Sequence, residues 1–278
     1  MELNGAPELH WEHRKPWSFV ARVPTADGQL WFKEMCPPLA YEPALTDALA
    51  RHAPGYTPEV VAFEGPRMLI RDAGRRLSAL DDPASPMWLD VVARYAELQI
   101  ALAPIATELP APDARPETLA SRFGGRIHPL VAALGGAIPL SLVHLSLNNR
   151  HSYVRDGRLI LIDWEEAAIA HSFCGLADTF HVLVHRLGAP AGGSEVLRVR
   201  DAYLEPWTTF APVGDLRPIF AAANALGALC RVTAWERKLS SMPAAIRERY
   251  NHKVEKGLRS FEAAVLAPDA LGAFAAAI

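Results

Sequence analysis

The N-terminal quarter of the chain alternates apolar and polar residues in the manner of antiparallel strands. Residues 9–35 contain the stretches HWEHRKPWSFVARV and LWFKEM, separated by a turn whose dipeptide Asp27-Gly28 is typical of hairpins. A further strand pair is predicted over residues 60–63 and 68–71. Between the two pairs, apolar residues recur at helical spacing and predict a helix over residues 41–52. The chain is therefore predicted to begin with a sheet and one helix.

From residue 85 onward the apolar residues follow a helical period. Ser85 is suited to cap a helix and Pro86 to its first position, and the apolar pattern continues to Leu102. A second helix is predicted over residues 116–134, interrupted at Gly124-Gly125. Four more helices are predicted near the C-terminus, over residues 176–187, 195–210, 216–239 and 244–266.

A different pattern occupies the middle of the chain, where residues 141–173 read SLVHLSLNNRHSYVRDGRLILIDWEEAAIAHSF. An apolar entry leads to His144, and an irregular polar loop follows. Asp156-Gly157 predicts a hairpin, and the apolar residues 159–162 predict a buried strand that ends at Asp163. Polar loops held by buried strands commonly carry catalytic or binding groups, so this segment is the candidate active-site region.

This segment resembles the catalytic region of the aminoglycoside phosphotransferase branch of the protein-kinase-like superfamily. The landmarks WFKE, YEPAL, MLIRDAG and IDW occur in the family's order, and the likeness covers nearly the whole chain. It implies an α+β, bilobal protein-kinase-like fold. A small β-rich nucleotide lobe is expected over residues 1–74, and a larger, mainly helical lobe carrying the catalytic loop over residues 75–278. The boundary is placed near Gly74, where the apolar alternation gives way to a polar linker.

The catalytic loop departs from the family pattern H-G-D-x-x-x-x-N, in which the Asp is the base and the Asn binds magnesium. The resemblance assigns His144 to the first His, Ser146 to the catalytic Asp and His151 to the metal-binding Asn. A serine hydroxyl does not ionise near neutral pH, and imidazole suits zinc and later transition metals better than Mg²⁺. Asn148 and Asn149 offer amide oxygens if the loop shifts register. The loop is therefore expected to be degraded or repurposed.

Three residues of the N-terminal part match nucleotide-binding positions of the family. Lys33 matches the lysine that grips the phosphates, and Glu42 matches the helix glutamate that pairs with it. The turn HRKPWS contains no glycine, so no backbone cradle for phosphates is predicted, and Ser18 is the candidate phosphate contact there. Structural alternatives stay open for each: an edge-strand lysine, an acid in a helix's first turn and a plain turn serine.

The carboxylates after the buried strand are the candidate metal ligands. Asp163 matches the family's metal-binding Asp, and three acids at the end of a buried strand are costly without cations. Glu165 and Glu166 are instead expected to be solvated, with Glu166 only a loose match to the family's second acid.

Three titratable residues further along are assigned structural roles. Asp178 is expected to be a favourable charge at a helix N-terminus. His181 and His185 have the i, i+4 spacing of a zinc pair, but no third ligand is evident, so a pair on a helix surface is preferred.

Composition excludes several other classes of protein. The chain has 278 residues, 50% of them hydrophobic, and a formal net charge of −3, which disfavours nucleic acid as a partner. Its three separated cysteines indicate neither a disulfide framework nor a zinc knuckle and fit the cytoplasm. There is no signal-like N-terminus and no apolar run long enough for a membrane span, the alanine-rich end from residue 271 included.

Three functions are compatible with these features. The preferred one is a pseudokinase-like protein that binds a nucleotide, small molecule or peptide, in the setting of a biosynthetic pathway. The alternatives are an active ATP-dependent phosphotransferase acting on a hydroxyl of a small molecule or peptide, and an enzyme of another class with His144 or His151 as acid or base. Binding of ATP and Mg²⁺ is expected to be weak or absent.

Overall fold

The computed structural model describes residues 9–26 and 28–267, and both Asp27 of the predicted hairpin turn and the alanine-rich end lie outside these residues. Ten strands are assigned within the described ranges. They are β1 (His10–Lys15), β2 (Ser18–Thr25), β3 (Gly28–Met35), β4 (Val60–Glu64), β5 (Arg67–Arg71), β6 (Arg75–Arg76), β7 (Leu140–Val143), β8 (Ser152–Arg155), β9 (Arg158–Leu161) and β10 (Ala168–His171).

Nine α-helices are assigned over the same residues, and most lie after the first sheet. They are α1 (Glu42–His52), α2 (Met87–Leu102), α3 (Pro116–Phe123), α4 (His128–Ala133), α5 (Ala177–His185), α6 (Ser194–Leu204), α7 (Val213–Ser240), α8 (Ala244–Tyr250) and α9 (His252–Leu266).

The first five strands form an antiparallel sheet in the order β1-β2-β3-β5-β4, as the alternating pattern predicts. Lys33 lies on the central strand β3, where it pairs with Val20 on one side and Met68 on the other. The predicted alternative of an edge-strand lysine is therefore wrong, since both edges of β3 are covered and Lys33 is only 7% exposed.

Two small sheets carry the segment between residues 141 and 173. Strands β7 and β10 pair antiparallel, and β8 and β9 form a hairpin whose other edge is covered by β6. The hairpin turns at Asp156 and Gly157, with φ of 51° and 72°, which is the left-handed geometry that the Asp-Gly dipeptide predicts. These sheets fix both ends of the loop that begins at His144.

Helix α7 is the centre of the helical part. It packs against the 3₁₀ segment Ser172–Leu176, and at Gly227 the approach is so close that an added Cβ would lie 2.4 Å from the carbonyl oxygen of Cys174. Only glycine fits there. This contact sets the position of α7 against the site segment, and with it the position of Lys238 near the helix's C-terminal end.

A second apolar cluster joins the first sheet to the helical part. Trp17, in the turn between β1 and β2, is 6% exposed and packs edge-on against Trp235 of α7 and Tyr250 of α8, with ring centroids 5.5 and 5.0 Å away. Met35 and Leu239 belong to the same cluster. The turn that would hold phosphates in the related family is thus docked onto the helices by an aromatic contact.

Two helix predictions are wrong in detail. The stretch predicted as one helix over residues 244–266 is two helices that meet at Asn251, whose side chain donates to Glu255 Oε1 (2.8 Å). The helix predicted over residues 195–210 ends at Leu204, because Pro206 cannot continue it and a 3₁₀ turn follows. Within the described ranges, none of the helices is long and apolar enough to cross a membrane.

Candidate functional site

Lys33 lies at the centre of a buried carboxylate cluster. Its Nζ is 2.9 Å from Glu42 Oε1, 2.5 Å from Asp163 Oδ1 and 3.4 Å from Glu165 Oε2. Glu42 is fully buried on the first turn of α1. Strand β3, helix α1 and the loop after β9 therefore bring Lys33 to Glu42, 9 positions away in sequence, and to Asp163, 130 positions away.

Lys33 and the carboxylates around it favour each other's charged forms. Burial alone would lower the pKa of the Lys33 ammonium, but Asp163, Glu42 and Glu165 hold it well above its usual value. Burial raises the pKa of Glu42 to about 7, with the charge of Lys33 opposing that rise. Lys33 is thus a permanent cation held by several carboxylates.

Asp163 is bound on both sides of its carboxylate. Its backbone has φ of 70° and ψ of 57°, a left-handed conformation that turns the chain from β9 into the 3₁₀ segment Trp164–Glu166. Oδ1 accepts from Lys33, and Oδ2 lies 3.2 Å from His151 Nε2. Although burial opposes it, these two neighbours hold the pKa of Asp163 well below its usual range.

His151, which the sequence resemblance assigns to the family's metal-binding Asn, points both ring nitrogens at oxygen. Nδ1 donates to the carbonyl oxygen of Ser146 (2.7 Å), and Nε2 faces Asp163. The ring therefore turns its two nitrogens towards the Ser146 carbonyl and the Asp163 carboxylate, where an Asn would present an amide oxygen to a metal.

Ser146, which the sequence resemblance assigns to the catalytic Asp, is hydrogen-bonded to the buried His144. The hydroxyl lies 3.2 Å from His144 Nδ1, and His144 Nε2 donates to the carbonyl oxygen of Ile162 (3.0 Å). Burial lowers the pKa of His144 to about 4, with His151 adding to the effect. The ring packs against Trp164, with the two ring centroids 4.4 Å apart. Because its pKa is so low, the His144 ring is neutral and is a weak base towards the serine hydroxyl.

Leu145 stands where the family motif has glycine, and its φ of 61° is the left-handed conformation that favours glycine. The side chain is only 1% exposed, so its burial in the core compensates for this unfavourable backbone conformation. A leucine thus holds a left-handed turn in this loop.

The two asparagines of the loop have different partners. Asn148 Nδ2 donates to the carbonyl oxygen of Ser146 and to Asp178 Oδ2, both at 2.8 Å. Asn149 instead donates to Asp81 Oδ1 (2.7 Å), and it is not among the residues that line the cavity described below. Asn148 lies within the site, and Asn149 does not.

The expectation that Glu165 and Glu166 are solvated is wrong. Both are 6% exposed, and both accept from Lys238 Nζ, at 2.7 and 2.8 Å. Lys238 itself is 1% exposed, and its pKa is raised because the two carboxylates outweigh the effect of burial. This ion cluster is hard to predict from sequence, because Lys238 is more than 70 residues away from both carboxylates, at the end of a helix with a mixed surface.

Asp178 has the predicted place in the first turn of α5, and it is also a buried ion-pair partner. It contacts the Arg231 guanidinium and accepts from Asn148. Burial would raise the pKa of Asp178, but Arg231 and Asn148 lower it to about 2. His181 and His185 lie beside each other on α5, and His181 Nε2 faces Lys256 Nζ at 3.2 Å, which is no place for a zinc ion.

Ser18 is buried at the start of β2, 2% exposed and paired with Met35 of β3. The neighbouring residues Lys15 and Trp17 line the cavity, whereas Ser18 is not among its lining residues. The structure therefore does not bring Ser18 to the other candidate residues.

The donor set does not fit Mg²⁺. Oxygens of Glu42, Asp163 and Glu165 lie within 4.8 Å of one another, as metal ligands would, but Lys33 Nζ contacts all three carboxylates. His151 takes the remaining oxygen of Asp163. A divalent cation bound at these oxygens would have to displace the Lys33 ammonium and the His151 ring.

Beside this cluster lies a cavity of about 380 Å³ between the loop, the β1–β2 turn and helices α5, α7 and α9. Of the predicted cleft residues, Ser146, Asn148, His151 and Asp163 line it. Lys33 and Glu42 are buried behind Asp163 and are not part of its lining.

No protein-family model and no curated protein matches the sequence. Solved structures do match. A choline/ethanolamine kinase family protein from Mesorhizobium loti is 14% identical, with a TM-score of 0.59 over 98% of this chain and 92% of that one. An ethanolamine kinase from Plasmodium vivax is 12% identical, with a TM-score of 0.57 over 94% and 83% of the two chains. A thermostable mutant of an aminoglycoside phosphotransferase is 15% identical, with a TM-score of 0.52 over 94% of each. The chain therefore has the protein-kinase-like fold of small-molecule phosphotransferases.

Proposed function

We propose that this protein uses the kinase fold to bind a small-molecule or peptide ligand in its cleft and does not transfer phosphate. The observation that carries the proposal is the pairing of the acidic residues with cations of the protein itself. Asp163 is bound by Lys33, and Glu165 and Glu166 are bound by Lys238. In an active phosphotransferase such carboxylates hold the metal that neutralises the transferring phosphoryl group.

The absence of a base supports the same proposal. Ser146 stands at the base position, and its only ring partner is His144, whose pKa of about 4 makes it a poor proton acceptor. The turn at Trp17 supports the proposal as well. It has no glycine to form a backbone cradle for phosphates, and the contacts of Trp17 with Trp235 and Tyr250 hold the turn against the helices. The base, one of the two metal ligands and the phosphate cradle of the family pattern are thus all changed in one chain.

An active phosphotransferase is the second candidate, and one observation favours it. The Lys33–Glu42 pair is fully formed, as it must be for the lysine to orient nucleotide phosphates. Positioning and electrostatics supply most of the catalysis of phosphoryl transfer, so loss of the base alone does not exclude it. The enzyme of another class is less well supported, since His144 is fully buried and His151 is engaged through both nitrogens.

Turnover distinguishes the two candidates. Radiolabelled ATP with Mg²⁺ is incubated with the protein and with hydroxyl acceptors, including ethanolamine, choline and hygromycin B. The proposal expects no transfer above a no-protein background. Transfer to an acceptor that is lost in Lys33→Ala and Asp163→Asn would establish the second candidate in place of the first.

Three separate cysteines, all free, fit the reducing cytoplasm that we propose for this protein. We also propose that the chain divides into its two lobes near Gly74. There φ is 89°, and an added Cβ would lie 2.4 Å from the carbonyl oxygen of Val154, so the chain passes between the two parts as a tight glycine turn.

A further inference from the structure

The cavity beside the candidate site is strongly basic although the chain as a whole is acidic. Among the described residues that line it, seven are lysine or arginine and four are aspartate or glutamate, a formal charge of +3. The whole chain has a formal charge of −3. Positive charge is therefore concentrated here, at the one wall where the loop, the sheet turn and three helices meet.

The four carboxylates of the cavity already have cationic partners. Asp178 is paired with Arg231, and Glu165 and Glu166 are paired with Lys238. Asp163 is bound by Lys33 from behind and by His151. No acid of the lining is left to neutralise a further cation.

The other basic residues of the lining have no carboxylate partner within residues 9–26 and 28–267. They are Lys15, Arg150, Arg186, Lys253 and Lys256. Lys256 Nζ lies 3.2 Å from His181 Nε2, and burial and Lys256 lower the pKa of His181 to about 3, so this imidazole is neutral and adds no negative charge.

The geometry of α9 directs two of these lysines into the cavity. Lys253, Lys256, Gly257 and Ser260 follow the i, i+3, i+4, i+7 spacing of one helix face, and all four line the cavity. At Gly257 an added Cβ would lie 2.6 Å from Val232 Cγ2, so α9 packs against α7 with no room for a side chain. That contact fixes the position of α9 against α7, and with it the positions of Lys253 and Lys256 in the cavity wall.

The two lysines are close enough to repel each other and their arginine neighbours. Burial lowers the pKa of Lys253, and Arg186 and Arg231 lower it further. Burial lowers the pKa of Lys256 as well, followed by Lys253 and Arg231. A cluster whose members lower one another's pKa is stabilised by a bound anion.

The distribution of lysine in the sequence points to the same place. The chain has only five lysines among its 28 basic residues. Lys15, Lys238, Lys253 and Lys256 line the cavity, and the fifth, Lys33, is bonded to Asp163 at its edge. The remaining basic residues of the sequence are arginines.

Part of the wall is aromatic. Trp17, Trp235 and Tyr250 line the cavity, and Lys253 Nζ lies 5.8 Å from the ring centre of Trp235. An occupant therefore meets cations at one end and aromatic surface nearby, which suits an anionic group attached to an apolar or ring-shaped body.

We propose that the cavity binds a small molecule carrying a phosphate monoester on an apolar or ring-shaped body, with Lys253, Lys256 and Arg186 as the anion-binding residues. A dianion suits two ammonium groups and a guanidinium better than a single carboxylate does. This inference rests on the proposed ligand-binding function, and it names the chemical class of the ligand.

Calorimetric titration with phenyl phosphate, at low and at high salt, tests the site. We expect binding that weakens with salt, and that weakens about tenfold or more in the double variant Lys253→Gln/Lys256→Gln. Arg259→Gln, on the same helix but outside the cavity lining, is the matched control and should bind like the unmodified protein. Benzoate should bind more weakly than phenyl phosphate, and choline should not bind.

The double variant should fold. It removes two mutually repelling charges, so its unfolding midpoint without ligand should equal or exceed that of the unmodified protein. Unchanged affinity for phenyl phosphate in this folded variant overturns the assignment, as does tighter binding of choline than of phenyl phosphate. If ATP binds in a way that depends on Lys253 while phenyl phosphate does not bind, the cations serve a nucleotide and the inference is wrong.

Chemical labelling gives a second, independent readout. Pyridoxal 5′-phosphate, an anionic aldehyde, followed by borohydride should modify Lys253 or Lys256 ahead of the other three lysines, and phenyl phosphate should protect them. Preferential labelling elsewhere overturns the site. These outcomes do not depend on ATP turnover. The anion site can therefore be disproved without disproving the proposed function, and phosphotransfer can be detected without affecting the test of the anion site.

Discussion

Lys238 is the residue whose removal tests the internal ion cluster. Lys238→Met keeps much of the volume but leaves Glu165 and Glu166 buried without their cation, and we expect a loss of about 3–5 kcal/mol in the free energy of unfolding. Denaturant unfolding measures it. Lys256→Met, which breaks no ion pair, should change stability by less than about 1 kcal/mol. Equal, small effects of the two variants would contradict the buried cluster.

His144 gives a pH dependence whose sign is fixed by its burial. Its pKa is lowered to about 4 in the folded state, so the unfolded chain binds the extra proton between about pH 6.5 and pH 4. Stability is therefore lost as the pH falls through that window, by about 2 kcal/mol at pH 5 from this one residue.

Comparison with His144→Gln isolates this effect, because His171 and His181 titrate in both proteins. The free energy of unfolding is measured by denaturant titration at several pH values from 7 to 4. As the pH falls, the free energy of unfolding should decrease more steeply in the unmodified protein than in the variant. The difference in slope should approach that of one bound proton, about 1.4 kcal/mol per pH unit. Parallel curves would show that His144 is not held neutral.

At the level of single residues, the sequence predicted one part of the site and missed another. Lys33, Glu42 and Asp163 could be predicted because the resemblance to the family assigned each a place in a strand, a helix or a strand end. Lys238 and Arg231 could not, because they face the site only through the packing of α7 against the 3₁₀ segment before α5. No local pattern distinguishes a helix lysine that meets two buried carboxylates from one that meets water.

Among the elements, the turn between β1 and β2 is held by its aromatic residue. Trp17→Ala removes a side chain that packs on Trp235 and Tyr250, so we expect a loss of about 3–5 kcal/mol of unfolding free energy. Trp11→Ala, in the neighbouring strand, is the control, because Trp11 is 42% exposed and should cost about 1 kcal/mol or less. Similar losses from both would mean that the turn is not docked on the helices.

The elements themselves were largely predictable. Period-two alternation and Asp-Gly turns predicted the sheet and the β8–β9 hairpin, and helical spacing predicted α1, α2 and α7 within a few residues. The break at Asn251 was missed because apolar spacing continues across it. Tyr250, the last residue of α8, packs on Trp17, a long-range contact that local apolar spacing does not contain.

For the molecule as a whole, the fold followed from the order of landmarks, whereas the charge arrangement did not. The net charge of −3 gave no sign of a basic cavity, since acids and bases far apart in the sequence are sorted only by folding. The two lysines of α9 and Arg186 of the α5 end meet in space across more than 60 residues of sequence. Composition therefore predicts partners poorly when the decisive surface is a cavity.

The central claim is that the protein's own cations have replaced the metal, and magnesium-dependent nucleotide binding tests it most directly. Thermal unfolding is followed with ATP alone and with ATP plus Mg²⁺, for the unmodified protein and for Asp163→Asn. The account predicts that Mg²⁺ adds no stabilisation beyond that of ATP alone. Stabilisation that requires Mg²⁺, reaching about 2.7 kcal/mol at one hundred times the dissociation constant and absent from Asp163→Asn, would contradict it.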